Sequence, residues 1–193
     1  MAIAISETRF QKVEGQFVLG TAISDAAQNV ISNIIDDLTA GTIAPNKPEE
    51  LLKIRQPSIS GQPHPVRVVK ADLFIQDKEG HVYLFDIKTV KPNISNFRDF
   101  KKTLLEWASM YYQQNHDANV NTLLAIPYNP YEPEPYRRWT MRGMLDLEYE
   151  ILVANEFWDF LGGKGTYEMI LDCFEKAGLE MRDEIDKYFL RFK

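Results

Sequence analysis

Residues 71–93, "ADLFIQDKEGHVYLFDIKTVKPN", constrain this chain more than any other stretch. Two runs rich in Val, Leu, Phe and Ile, Val66–Gln76 and Val82–Val90, flank a turn, and the spacing predicts an antiparallel hairpin. A three-residue loop Lys78-Glu79-Gly80, with Gly80 as its left-handed residue, closes such a hairpin. Asp77 then faces His81, Asp72 faces Asp86, and Lys70 faces Lys88. Side chains alternate along a strand, so positions 70, 72, 86 and 88 share one face. The arrangement depends on the turn, because a slip of one residue sends the two acids to opposite faces.

Opposed residues have Cβ atoms only about 4.5–5.5 Å apart, and like charges there are destabilising. A divalent cation removes that repulsion, and carboxylate oxygens are the ligands Mg²⁺ prefers. Lys88 points to the same side as Asp86, where it can stabilise charge on a phosphoryl oxygen or help to deprotonate a water. Metal, water and cation together are what metal-assisted phosphodiester hydrolysis requires. The plainer reading is a solvated sheet face with ordinary surface charges. Against it, Asp is disfavoured in strands, and Asp86 sits between Phe85 and Ile87.

Around the hairpin, helical spacing of Ile23, Ala27, Val30, Ile31, Ile34 and Leu38 predicts a helix from Ser24 to about Ala40, ended by Gly41. Pro45, Pro48, Pro57, Pro63 and Pro65 predict an irregular exposed stretch, interrupted by a short helix over 48–54. A second helix is expected from Asn96 to about Asn115, with Phe97, Phe100, Leu104, Ala108 and Tyr111 inward and Arg98, Lys101 and Lys102 outward. "TLLAIP" at 122–127 has the look of a buried strand, and 150–154 of a last one; "EFWDFLGG" and 166–192 close the chain with helices. Helix, hairpin, helix, strand, strand, helices describes one α/β domain over 1–193, a mixed central β-sheet flanked by helices.

An acid on one strand followed by acid-x-Lys on the next, here Asp72 … Asp86-Ile87-Lys88, resembles the PD-(D/E)xK nuclease superfamily. The longer string "DIKTVKPNISNFRDFKKTLLEW", with "EFWDFLGG" downstream, looks like type II restriction endonucleases of the TdeIII kind, from about Val66 to the end. The resemblance implies a restriction-endonuclease-like α/β/α core. It also implies Asp72 and Asp86 as metal ligands, the carbonyl of Ile87 completing the metal shell, Lys88 as the catalytic lysine, and Mg²⁺ as the cofactor. Ala71 stands where the motif's name has proline. Many members add a glutamate from an N-terminal helix; Glu7, Glu14, Asp36 and Asp37 are all open for that place.

The net charge of −6 argues against a polyanion partner until its distribution is considered. Residues 51–105 carry ten lysines and arginines against five acids, which leaves the remainder at −11. Lys70, Lys91, Asn93, Arg98, Lys101 and Lys102 are the candidate nucleic-acid contacts near the hairpin, and "YRRWTMR" at 136–142 a second one. "GGKGT" at 162–166 does not meet the phosphate-loop spacing; its glycines read as a helix end, with Thr166 capping the next helix. His64, His81 and His116 are scattered, His81 reads as an exposed turn residue, and Cys173 reads as a core residue beside Ile170 and Phe174. One cysteine, no signal-like start and no run of eighteen apolar residues lead to the expectation of a cytoplasmic protein without a membrane segment.

The function these features imply is Mg²⁺-dependent hydrolysis of double-stranded DNA at a specific sequence, by a two-fold homodimer. The alternatives are a catalytically inactive nuclease-fold protein that binds nucleic acid or a protein partner, and a small-molecule phosphatase.

Overall fold

The computed structural model describes residues 1–88 and 96–190, with the side chains of Trp139 and Thr140 left aside. A five-stranded sheet runs through it in sequence order: β1 (Lys12–Ser24), β2 (Pro63–Gln76), β3 (Val82–Ile87), β4 (Val120–Ile126) and β5 (Ile151–Val153). The first three strands are antiparallel, and β3, β4 and β5 are parallel. The β3–β4 crossover is the helix α4 (Phe97–Gln114), the buried connection a parallel pair needs.

Alternation along β3 sorts the helices into two layers. Tyr83 and Phe85 pack on Phe160, and Phe85 also on Phe157, both from α5 (Asn155–Gly162). On the opposite face Phe74 of β2 meets Tyr111 of α4, and Lys88 lies over Phe100 of the same helix. The mixed sheet with helices on both faces is the α/β architecture expected from the sequence.

The helix α2 (Asp25–Ala40) starts and stops where the sequence predicts: Ser24 Oγ accepts from Ala27 N, and Gly41 ends it at φ 69°. The proline-rich stretch differs from expectation. The helix α3 spans Lys47–Ser60, capped by Asn46 Oδ1, with Pro48 in the first turn where no N–H is missed. It continues through Pro57, where two tertiary bonds hold that turn, Ser24 Oγ donating to Pro57 O and Ser58 Oγ to Ser109 Oγ, beside a local bond from Ser58 Oγ to Ile54 O. Pro63 and Pro65 lie within β2, where it overhangs β3 and pairs with β1 alone.

A second correction concerns α4, expected to bury one stripe only. It is enclosed on several sides, burying Phe97, Lys101, Leu104, Leu105, Trp107, Ala108, Met110 and Tyr112. Lys101, assigned outward by helical spacing, is 0% exposed. β1 and the short α1 (Ala2–Ser6) had no counterpart in the sequence reading, because Gly15 and Gly20 weaken the strand pattern. The closing helices are α6 (Thr166–Glu180) and α7 (Arg182–Phe189), and Cys173 is exposed there rather than in the core. Gly165, not Thr166, is the cap residue of α6; the Thr166 hydroxyl donates to Gly163 O instead. Among the described residues no helix is long and apolar enough to cross a membrane.

Candidate active site

The hairpin has the register expected of a three-residue loop. Gly80 takes φ 87°, Asp77 N donates to His81 O, and Gln76, Ile75, Phe74 and Leu73 pair with Val82, Tyr83, Leu84 and Phe85. One further step of that register sets Asp72 opposite Asp86. Asp86 sits near the C-terminal end of β3, 5% exposed, and Lys88 just beyond it is partly open to solvent.

Lys88 Nζ lies 2.6 Å from Asp86 Oδ1 and 5.1 Å from the centroid of the Phe100 ring. Its backbone N–H donates to Ala125 O on β4, so the residue is anchored to the sheet while its ammonium stays available. Asp72 is held at both oxygens: Oδ2 accepts from Ile87 N at 2.9 Å and Oδ1 from Gln16 Nε2 at 3.0 Å. Burial raises the Asp86 carboxyl above the ordinary carboxylate range; Lys88 pulls the other way, and the nearby Asp72 adds to the rise. Two hard carboxylates from adjacent strands, with Asp72 close enough to disfavour the charge on Asp86, form a donor set that suits a hard divalent cation. A cation between them removes the repulsion that Lys88 offsets only in part.

Of the candidate phosphate contacts, Lys70 is exposed on β2 beside Val18 of β1. Arg98 is exposed and pairs with Asp36 at 2.9 Å; Lys102 is exposed, 3.7 Å from Glu106. Lys91 and Asn93 fall outside the described residues. Lys101 cannot serve: it is buried 2.5 Å from Glu50 Oε2 and 2.6 Å from Glu150 Oε2. Two arginines of "YRRWTMR" are engaged within the chain, Arg138 with Glu156 and Arg137 over the Tyr131 ring.

Among the four acids considered for the N-terminal position, Asp36 holds Arg98. Glu14 lies opposite Phe74, two residues along β2 from Asp72, and pairs at 2.7 Å with Lys12. The side chain β1 brings to the site is Gln16, which hydropathy could not mark because it is polar and its neighbour is glycine. Gln16 lies opposite Asp72 by register and adopts φ 52°, a left-handed conformation that costs a non-glycine residue about 1–3 kcal/mol. Beyond it the alternation is reset, and Phe17 stacks on Phe74 at 4.3 Å, on the face that carries Asp72. A second cluster, Asp77, Glu79 and His81, brings its ligand atoms within 4.8 Å of one another. It belongs to the turn, at the far end of the hairpin from Asp72. His81 is half-buried there, its Nδ1 2.8 Å from Asp77 Oδ2.

Comparison with known proteins adds to this geometry. A family model described as type II restriction endonuclease, HinfI, matches residues 1–178. The type II restriction enzyme HgiCII of Herpetosiphon aurantiacus is 28% identical over 176 residues, 89% of this chain and 62% of that protein. HgiEI of the same organism is 29% identical over 126 residues, 64% of this chain and 45% of its own. The type II restriction enzyme MjaII of Methanocaldococcus jannaschii is 28% identical over 178 residues, 85% and 48% of the two chains. The chain therefore spans 45–62% of the length of these relatives. The family match reaches the N-terminal third, where the sequence resemblance found little. It agrees with that resemblance at the level of type II restriction endonucleases, through HinfI in place of TdeIII.

Proposed function

Because this chain belongs to the HinfI family of type II restriction endonucleases, we propose that it hydrolyses phosphodiester bonds at a specific sequence in double-stranded DNA, with Mg²⁺ as its metal. The observation that carries this reading is the meeting of Asp72 and Asp86 on adjacent strands, with Lys88 Nζ 2.6 Å from Asp86.

Asp72, Asp86 and the carbonyl of Ile87 are the groups to hold the metal. When bound, a divalent cation acidifies a water for attack and offsets charge on the phosphoryl group. The chain's own part is to supply the pocket and a second cation. Ile87 N–H fixes one oxygen of Asp72, and burial among Leu84, Phe85 and Leu124 keeps water from solvating Asp86 freely. Lys88 Nζ donates to phosphoryl oxygen as negative charge builds there, a cation at short range. Lys70, Arg98 and Lys102, with Lys91 and Asn93, contact backbone phosphates. Two copies related by a two-fold axis cut the two strands of a symmetric site, in the cytoplasm.

Incubation with plasmid or phage DNA and Mg²⁺, followed by sequencing of the ends, tests the proposal. The expected result is discrete fragments sharing one terminal sequence. Random ends, or intact DNA from a protein that still shifts it in a gel, would contradict site-specific cleavage and favour a binding module.

A further inference from the structure

We propose that Gln16 is the positioning residue for Asp72, holding the carboxylate in the orientation in which it takes the metal; the inference rests on the reading of Asp72 as a metal ligand. Three observations converge. By register Gln16 is the β1 residue opposite Asp72, as Asp86 is the β3 residue opposite it, so the three side chains form one row across the sheet. Its Nε2 donates to Asp72 Oδ1 at 3.0 Å, while Ile87 N–H takes Oδ2 at 2.9 Å, so the carboxylate is gripped from both neighbouring strands. And the backbone at Gln16 has φ 52° in a residue that is not glycine. A strained, exposed position with a long polar side chain is hard to explain by stability, since glycine adopts that conformation without penalty. It is explained if the side chain is needed at Asp72. A carboxylate free to rotate toward solvent loses affinity for a cation, and outer partners of ligating carboxylates typically matter 10–100-fold in metal affinity.

The test is calorimetric titration of Ca²⁺ alone into the wild type, Gln16→Gly and Asp72→Ala, without DNA, alongside thermal unfolding of each protein in EDTA. Gln16→Gly removes the amide and the backbone strain together. It is expected to bind Ca²⁺ about 10–100-fold more weakly while unfolding at the same or a higher temperature. That combination is one a merely structural role does not produce. Wild-type affinity in Gln16→Gly, with affinity lost in Asp72→Ala, would overturn the inference and leave the metal reading standing. Weaker binding accompanied by a lower unfolding temperature would overturn it too, as a role in the fold. Equal affinity in wild type and Asp72→Ala would remove the metal reading on which the inference stands.

Discussion

Replacing Glu150 with glutamine is expected to destabilise the fold by about 3–5 kcal/mol, the range for breaking a buried ion pair from one side. Glu150 is fully buried, with Oε1 2.8 Å from Lys47 Nζ and Oε2 2.6 Å from Lys101 Nζ. Oε2 also accepts from Asp146 N, and Glu50 completes a set of two lysines and two glutamates. This set joins α3, α4 and the entry to β5. Glutamine keeps the shape but leaves two buried ammonium groups with one carboxylate. Urea unfolding followed by circular dichroism measures the loss; a change below about 1 kcal/mol, the scale of an exposed pair, would contradict it. The pH dependence has a definite sign. Burial alone would raise the Glu150 carboxyl, but Lys47 and Lys101 outweigh it and hold it below the ordinary value of 4.5. Its contribution is therefore full above pH 4.5 and lost as pH falls through the depressed value, so wild type and variant converge only in acid.

Asp86→Asn is expected to lower DNA cleavage by about a thousandfold or more, the scale of losing a preorganised electrostatic partner of the transition state. The metal-free protein is expected to keep or gain thermal stability. Asp86 is buried and its carboxyl is raised by burial and by Asp72, so its ionised form opposes folding above the raised value, and asparagine removes that opposition. The gain should fade as pH falls through the raised value and be gone below the ordinary aspartate value of 3.8, where the wild-type group is protonated in both states. Cleavage assays and unfolding temperatures in EDTA measure the two effects. A variant that loses activity and stability together would place Asp86 in the fold rather than in the chemistry.

The hairpin was legible because its information is local. Gly80 and the lengths of two apolar runs determine the register, and the register sets Asp72 against Asp86. The helix α2 was legible for the same reason, through Ser24 and Gly41. What sequence reading missed depends on contacts between distant segments. Lys101 carries the pattern of a surface lysine, and only the packing of α3 and the approach to β5 supplies the carboxylates that allow its burial. β1 was missed because it contains two glycines and a residue with positive φ, so neither its composition nor its alternation is regular. With it went Gln16, whose partner is 56 residues away. Pro57 misled because the helix turn it sits in is also held from outside, by the hydroxyl of Ser24 on Pro57 O and by Ser109 on Ser58.

The most direct measurement compares wild type and Lys88→Ala on the same DNA, with binding read by gel shift in Ca²⁺ and cleavage read in Mg²⁺. Lys88 is partly exposed and anchored through its backbone to Ala125, so its truncation leaves the sheet intact. Both proteins are expected to shift the DNA, and only the wild type to cut it. Cleavage by Lys88→Ala at the wild-type rate, or a wild type that binds without cutting, would contradict this.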